Sequence, residues 1–184
     1  ESCLPKTAWP PTFSSHGGWA YSGDKAEPDM TAMALQALAA YYKTDAKVKE
    51  AADKAVTCLS KLQNTTGGYD SYGSVNSESA AQVITALTAL GIDPDNDARF
   101  VKNGASVLDS LCGFYVDGGG FRHVSDGKLD PTATAQGYYA LAAYYRFAGS
   151  QTINHIENPN LLATKIIVPH KLIPRESCCP PPEV

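Results

Sequence analysis

Acidic side chains stand at the head of three similar segments, and theirs are the types and positions in this sequence best placed for chemistry. Glu27 and Asp29 flank a proline in Glu27-Pro28-Asp29-Met30-Thr31-Ala32, Glu78 sits in Asn76-Ser77-Glu78-Ser79, and Asp130 precedes Pro131-Thr132-Ala133. A carboxyl group at a helix head has two uses. Held protonated by burial or a neighbouring charge, it is a general acid. Left ionised, it satisfies free N–H groups and the helix dipole, for about 0.5–2 kcal/mol. An acid that returns in each copy points first to capping. Two further acidic loops invite a metal test. Asp93-x-Asp95-x-Asp97 starts like a calcium loop, but Ala98 stands where a glycine is needed and Gly104 where the closing glutamate should be, so capping explains it better. Asp126-Gly127-Lys128-Leu129-Asp130 offers no full ligand set. His16, His123, His155 and His170 are scattered; His16 and His123 lie beside repeat loops and read as surface residues. No metal site and no cofactor is expected.

The elements that must position these acids are helices. Each acidic head follows a Gly-Gly-aromatic loop: Gly17-Gly18-Trp19, Gly67-Gly68-Tyr69 and Gly119-Gly120-Phe121. Three Ala-Leu pairs, ending at Leu38, Leu87 and Leu141, align the segments at separations of 49 and 54 residues. A period near fifty with two helices inside it predicts stacked helical hairpins. The spacing of apolar residues predicts helices over 29–43, 46–62, 77–90, 98–112 and 132–147. The second is an amphipathic outer helix, with Val48, Ala52, Ala55, Val56, Leu59 and Leu62 on one stripe. Residues 1–16 read as an irregular lead-in, 17–149 as the repeat domain, and 150–184, with six prolines, as an extended or disordered tail.

With 43% hydrophobic and 18% charged residues, 184 in all, the chain has the makings of one good core. Its net charge of −4, with no cluster of Lys and Arg, argues against nucleic acid as a partner. No apolar run is long enough to span a membrane, and the Pro-rich start does not read as a signal peptide. The chain reads as a mature form or an excised fragment. Cys3, Cys58, Cys112, Cys178 and Cys179 fit neither a dense disulfide framework nor paired zinc spacing. Cys58 and Cys112, on the second and fourth helices, read as buried small hydrophobes.

Leu59-x-x-x-Gln63-x-x-x-Gly67-Gly68-Tyr69, followed by an Ala-Leu-bearing helix, resembles the prenyltransferase and squalene-oxidase repeat. That repeat builds the α/α toroid of squalene-hopene cyclases, protein prenyltransferase β subunits, cobalamin carriers and the complement thioester domain. The resemblance covers residues 17 to 147. The segment from Glu27 to Leu38, with Asn76-Ser77-Glu78-Ser79 and Gly119-Gly120-Phe121, is similar to the toroid domains of surface or secreted proteins of Gram-positive gut bacteria. It implies an all-α partial toroid of about five main helices and an extracellular or cell-surface location. Gln63 is then expected to bond backbone groups left free at helix ends, and the aromatics to cover the helix junctions.

The resemblance also allows the family's chemistry to be checked position by position. Cyclases carry Asp-x-Asp-Asp-Thr-Ala at this helix head, with one carboxyl kept protonated to attack an alkene. Asp29 falls on the proton donor and Glu27 on the first acid, but Met30 replaces the last. The prenyltransferase zinc needs Asp, Cys and His, and no inner-helix head holds Cys or His. The Gly-Cys-Gly-Glu-Gln thioester signature is absent. The expectation is therefore a non-catalytic binding or scaffolding module for a small-molecule, peptide or glycan ligand, joined to further repeats or domains of its parent. Its contact surface is the concave face of the inner helices with Trp19, Tyr21, Asp29, Tyr69, Tyr72, Glu78 and Phe121, where Trp19, Tyr69 and Phe121 also have a packing reading. The alternatives are a terpene-cyclase- or prenyltransferase-like enzyme using Asp29 and Glu27, and cobalamin-carrier-like binding.

Overall fold

A computed structural model describes residues 12–157, with side chains for residues 13–150. These residues are mostly helical, about 51%, in five helices joined by short strands. In chain order the elements are β1 (Thr12–Phe13), β2 (Trp19–Ala20), α1 (Pro28–Leu38), α2 (Ala46–Leu62), β3 (Asp70–Ser71), β4 (Ser74–Val75), α3 (Ser77–Ala89), α4 (Val107–Cys112), β5 (Phe121–Arg122), β6 (Leu129–Asp130) and α5 (Pro131–Glu157). No helix among the described residues is long and apolar enough to cross a membrane.

The three helices that follow the Gly-Gly-aromatic loops lie side by side, with α3 between α1 and α5, while α2 packs on α1 and α4 on α3. This explains the composition of α3. Flanked on both sides and backed by α4, it buries Ser77, Ser79, Ala80, Ala81 and Val83 through Leu87, and its small residues let the neighbours approach. By contrast α2 faces solvent along one side. It buries Ala52, Ala55, Val56, Cys58 and Leu59, exposes the i,i+4 pairs Lys49–Asp53 and Glu50–Lys54, and starts on an Asp45 carboxylate that accepts from the Lys47 and Val48 amides.

Each side-by-side helix is entered through a two-stranded ribbon: β1 with β2, β3 with β4, and β5 with β6, all antiparallel. In the first and third copies a threonine one turn into the helix locks the loop aromatic. Thr31 Oγ1 accepts from the Trp19 N–H at 2.9 Å and donates to the Trp19 carbonyl at 3.2 Å. Thr134 does the same for Phe121, at 2.9 and 3.3 Å. The middle copy has Ala80 at this position, and Tyr69 is held by packing. Gln63 bonds the Gly67 and Phe100 carbonyls, at 2.9 and 2.8 Å. Its partners are therefore loop carbonyls on either side of the repeat junction, where helix-end groups were expected.

Four boundaries differ from those the sequence predicts. The first helix ends at Leu38 and tightens into a 3-10 turn over Ala39–Tyr41, because the Thr44 and Asp45 amides both fold back on the Tyr41 carbonyl. The fourth helix is six residues long. Residues 98–106 form turns instead, with Asn103 and Gly104 both at positive φ in a tight reversal bridged by Lys102 and Ala105. A capping box between Ser106 and Asp109 then starts α4. The fifth helix runs through Gly149 to Glu157, so the tail does not begin at 150; residues 158–184 lie outside the described residues. The lead-in contributes β1, and residues 1–11 are likewise outside.

Candidate functional site

The acids at the helix heads face across the junctions between copies. Asp29, at the start of α1, accepts a 2.7 Å hydrogen bond from the Ser71 hydroxyl in β3. Glu78, at the start of α3, lies 2.8 Å from His123 Nδ1, beyond β5. Ser71 and His123 each stand two residues after their loop aromatic, so the same join is made twice. Ser77 adds to the second junction by donating its N–H to the His123 carbonyl and its hydroxyl to the Arg122 carbonyl. The position that carries Asp29 and Glu78 holds Thr132 in α5. These contacts put the heads of α1, α3 and α5 at one end, so the three helices run parallel.

Of the acids at the helix heads Asp130 caps as expected, while in α3 the neighbouring Asn76 does that work. Asn76 Oδ1 accepts from the Ser79 amide at 2.9 Å and Asp130 Oδ1 from the Ala133 amide at 2.8 Å. Glu27 occupies the matching place on α1 and its side chain caps nothing. Asp29 sits in the first turn, where its charge suits the dipole, but its side-chain bond is to Ser71. Its other oxygen, Oδ1, is buried with no partner among the described residues. Ser71→Ala should therefore cost about 1–3 kcal/mol, since it strips the remaining donor from a carboxylate that has no other. Urea denaturation of the variant measures this; a loss below about 0.5 kcal/mol would show that solvent replaces the serine.

The loop aromatics divide into two groups. Tyr69 and Phe121 are 0% and 1% exposed, which takes them out of the contact surface and makes them packing residues. Burial also pushes the Tyr69 phenol above its ordinary range. Trp19 is half-buried and meets Phe13 edge-to-face at 4.9 Å. Tyr21 and Tyr72 are open to solvent, at 66% and 89%. Of the seven predicted contact residues, Asp29, Glu78 and Trp19 are partly covered and engaged inside the fold, and Tyr21 and Tyr72 remain free-standing.

At the opposite end of the helices the structure opens a cleft of about 500 Å³. Its lining comes from the segment after α1 (Lys43), the last turns of α3 (Thr85, Thr88, Ala89) and the middle of α5 (Tyr139, Ala143, Arg146). Counted from the residue before each helix, Thr85 and Tyr139 occupy one row, Ala89 and Ala143 the next, and Lys43 and Arg146 the last. The alanines leave the hollow and the longer side chains wall it. The helices α1, α3 and α5 are also linked by glutamines: Gln36 Nε2 to Gln82 Oε1 at 2.8 Å, and Gln82 Nε2 to Gln136 Oε1 at 3.1 Å. Neither the cleft nor this chain of amides is visible in any local motif. The cleft becomes legible once the three copies are set in register; the amide chain does so only in part, since Gln82 and Gln136 share a position at which α1 carries Met33.

The other candidate groups are engaged in structure. Asp93 caps its own turn through the Asp95 and Asn96 amides, Asp95 accepts from the Ser106 hydroxyl at 2.7 Å, and Asp97 holds Arg99 in a two-point contact. The Arg99 guanidinium lowers the Asp97 carboxyl below its ordinary range. Among the described residues no group of three His, Cys, Asp or Glu side chains is arranged to hold a metal ion. His16 is exposed, 3.7 Å from Asp24. Cys58 is buried, and burial raises its thiol; Cys112 is exposed, because the inward stripe of α4 runs through Val107 and Leu111 and Cys112 follows it round the helix, which corrects the buried reading. Compared with protein-family models and with characterised proteins, the sequence matches none of either.

Proposed function

We propose that the chain is part of an α/α toroid and serves as a non-catalytic binding or scaffolding module of a secreted or cell-surface bacterial protein. The observation that carries this reading is the cleft, which is open and whose lining mixes threonine hydroxyls, a phenol, an ammonium and a guanidinium with Ala89, Leu90, Ala143 and Phe147. Carbocation chemistry needs the reverse, a closed apolar enclosure that excludes water. Parallel helices side by side, each entered through a Gly-Gly-aromatic loop and a two-stranded ribbon, support the toroid. Its ligand is a small molecule, peptide or glycan, and further repeats of the parent are expected partners.

One observation favours the enzyme alternative, the buried and unpartnered oxygen of Asp29. Distance argues against it. Asp29 is two positions into its copy and the nearest cleft row, Thr85 and Tyr139, is nine, so at 1.5 Å per residue the acid stands roughly 10 Å from the cleft's near edge and roughly 20 Å from the Lys43 and Arg146 row. Incubating the 184-residue chain with squalene or geranylgeranyl diphosphate should yield no cyclised product. Product that disappears in Asp29→Asn would overturn the module reading. Titration with cobalamin tests the carrier-like alternative, where a saturable change in its visible spectrum would favour it.

A further inference from the structure

The cleft carries a chemical preference. In a chain of net charge −4, its lining includes two cations, Lys43 and Arg146, and no acid. Neither cation has an ion-pair partner among the described residues. Two unpaired donors of positive charge lining one cleft call for an anion, and the planar guanidinium suits a carboxylate.

The hydroxyls add a second requirement. Thr85 Oγ1 donates to the Ala81 carbonyl at 2.9 Å, and Thr88 Oγ1 directs its proton to the Ile84 and Thr85 carbonyls at 2.9 and 3.0 Å. A threonine hydroxyl has one proton, so both are spent and only lone pairs remain. The ligand must then bring O–H or N–H donors to this wall. Tyr139, 61% exposed beside the hollow, presents a ring on which the C–H face of a sugar can lie.

A ligand that is anionic, rich in hydroxyl donors and flat enough to lie on a phenol is an acidic sugar. We infer that the cleft between α3 and α5 binds a uronate-type saccharide, its carboxylate between Arg146 and Lys43, its hydroxyls on Thr85 and Thr88 and its ring against Tyr139. This inference rests on the binding-module reading and names the ligand class of the same site. The main competitor, an acidic peptide, offers carboxylates and amide donors but no run of hydroxyls.

Calorimetric titration of the full chain with trigalacturonate, triglutamate and maltotriose separates these possibilities. Trigalacturonate should bind at least about tenfold more tightly than either of the others, and more weakly as salt is raised. Arg146→Gln and Lys43→Gln should each weaken it about tenfold or more, and Thr88→Val should weaken it too, all with unchanged far-UV circular dichroism. Three results would overturn the inference: no trigalacturonate binding at millimolar concentration, equal binding of triglutamate, or affinity unmoved by Arg146→Gln and Lys43→Gln. Equal binding of maltotriose would also overturn it while leaving a binding module in place. Asp29-dependent turnover of a prenyl substrate, by contrast, would remove the module reading itself.

Discussion

Phe121→Ala should lower the stability of the chain by about 3–5 kcal/mol, the usual cost of removing a fully buried phenylalanine. The ring is 1% exposed and packs edge-on to Tyr115 and Tyr138, with centroids 5.6 and 5.7 Å away. It also fills a slot made by a glycine. A Cβ at Gly137 would lie 2.5 Å from the nearest ring carbon, so the phenyl rests directly on the backbone of α5. The position of α5 directly beneath the ring, Gly137, has no side chain to fill the space. The hole left by alanine would remain largely open, which puts the cost high in its range. A typical domain has only about 5–15 kcal/mol in hand, so the loss should be plain in urea denaturation and should loosen the whole β5–β6 entry to α5. A loss under about 1 kcal/mol would mean that the loop can close over the gap. The half-buried Trp19, which does the same job at α1, should cost less.

The second large effect belongs to the middle loop. Gly67 has φ +81°, and a Cβ there would stand 2.2 Å from the Ser106 carbonyl oxygen and 2.9 Å from its carbon. Both obstacles are backbone, and Ser106 is the residue whose capping box starts α4. Alanine must therefore bear the left-handed conformation, at about 1–2 kcal/mol. It must also push the head of α4 away from the loop, at about 1–3 kcal/mol more. Gly67→Ala should thus cost about 2–5 kcal/mol. Gly73 supplies the control: its φ is +88°, but nothing lies within 4 Å of the added carbon. Gly73→Ala should show the conformational cost alone, and the difference between the two variants isolates the clash. Equal losses at both sites would contradict the close approach of loop and helix.

How much of this was legible in the sequence depends on what kind of contact each feature needed. The bounds of α2 follow from its composition, since Asp45 caps it and its charged and apolar residues segregate cleanly. The fourth helix was overdrawn because Phe100 and Val101 look helical in spacing, while Asn103-Gly104 at positive φ and the Ser106 capping box are stronger local signals. The fifth was cut short at Gly149, although a glycine inside a helix costs only about 1 kcal/mol and need not end it. Burial of Tyr69 and Phe121 follows from the helices that close over their loops, which no property of the rings themselves reveals. The acids at the helix heads are visible as a repeated habit; Asp130 does cap, but Asp29 and Glu78 bond across the junctions instead. Ser71 and His123 lie 42 and 45 residues further along, and only the parallel stacking of the helices brings them to Asp29 and Glu78. The cleft was hidden for the same reason, as Lys43, Thr85, Tyr139 and Arg146 belong to three different copies.

The central claim, that the working surface is the cleft at the far end of the parallel helices and not the acidic heads, has one direct test. Backbone amide NMR of the full chain, recorded during titration with trigalacturonate, should show saturable shifts at Thr85, Thr88, Ala89, Tyr139, Ala143 and Arg146, with Asp29, Glu78 and Thr132 undisturbed. Shifts concentrated at Asp29, Ser71 and Glu78, with the cleft residues unmoved, would contradict it.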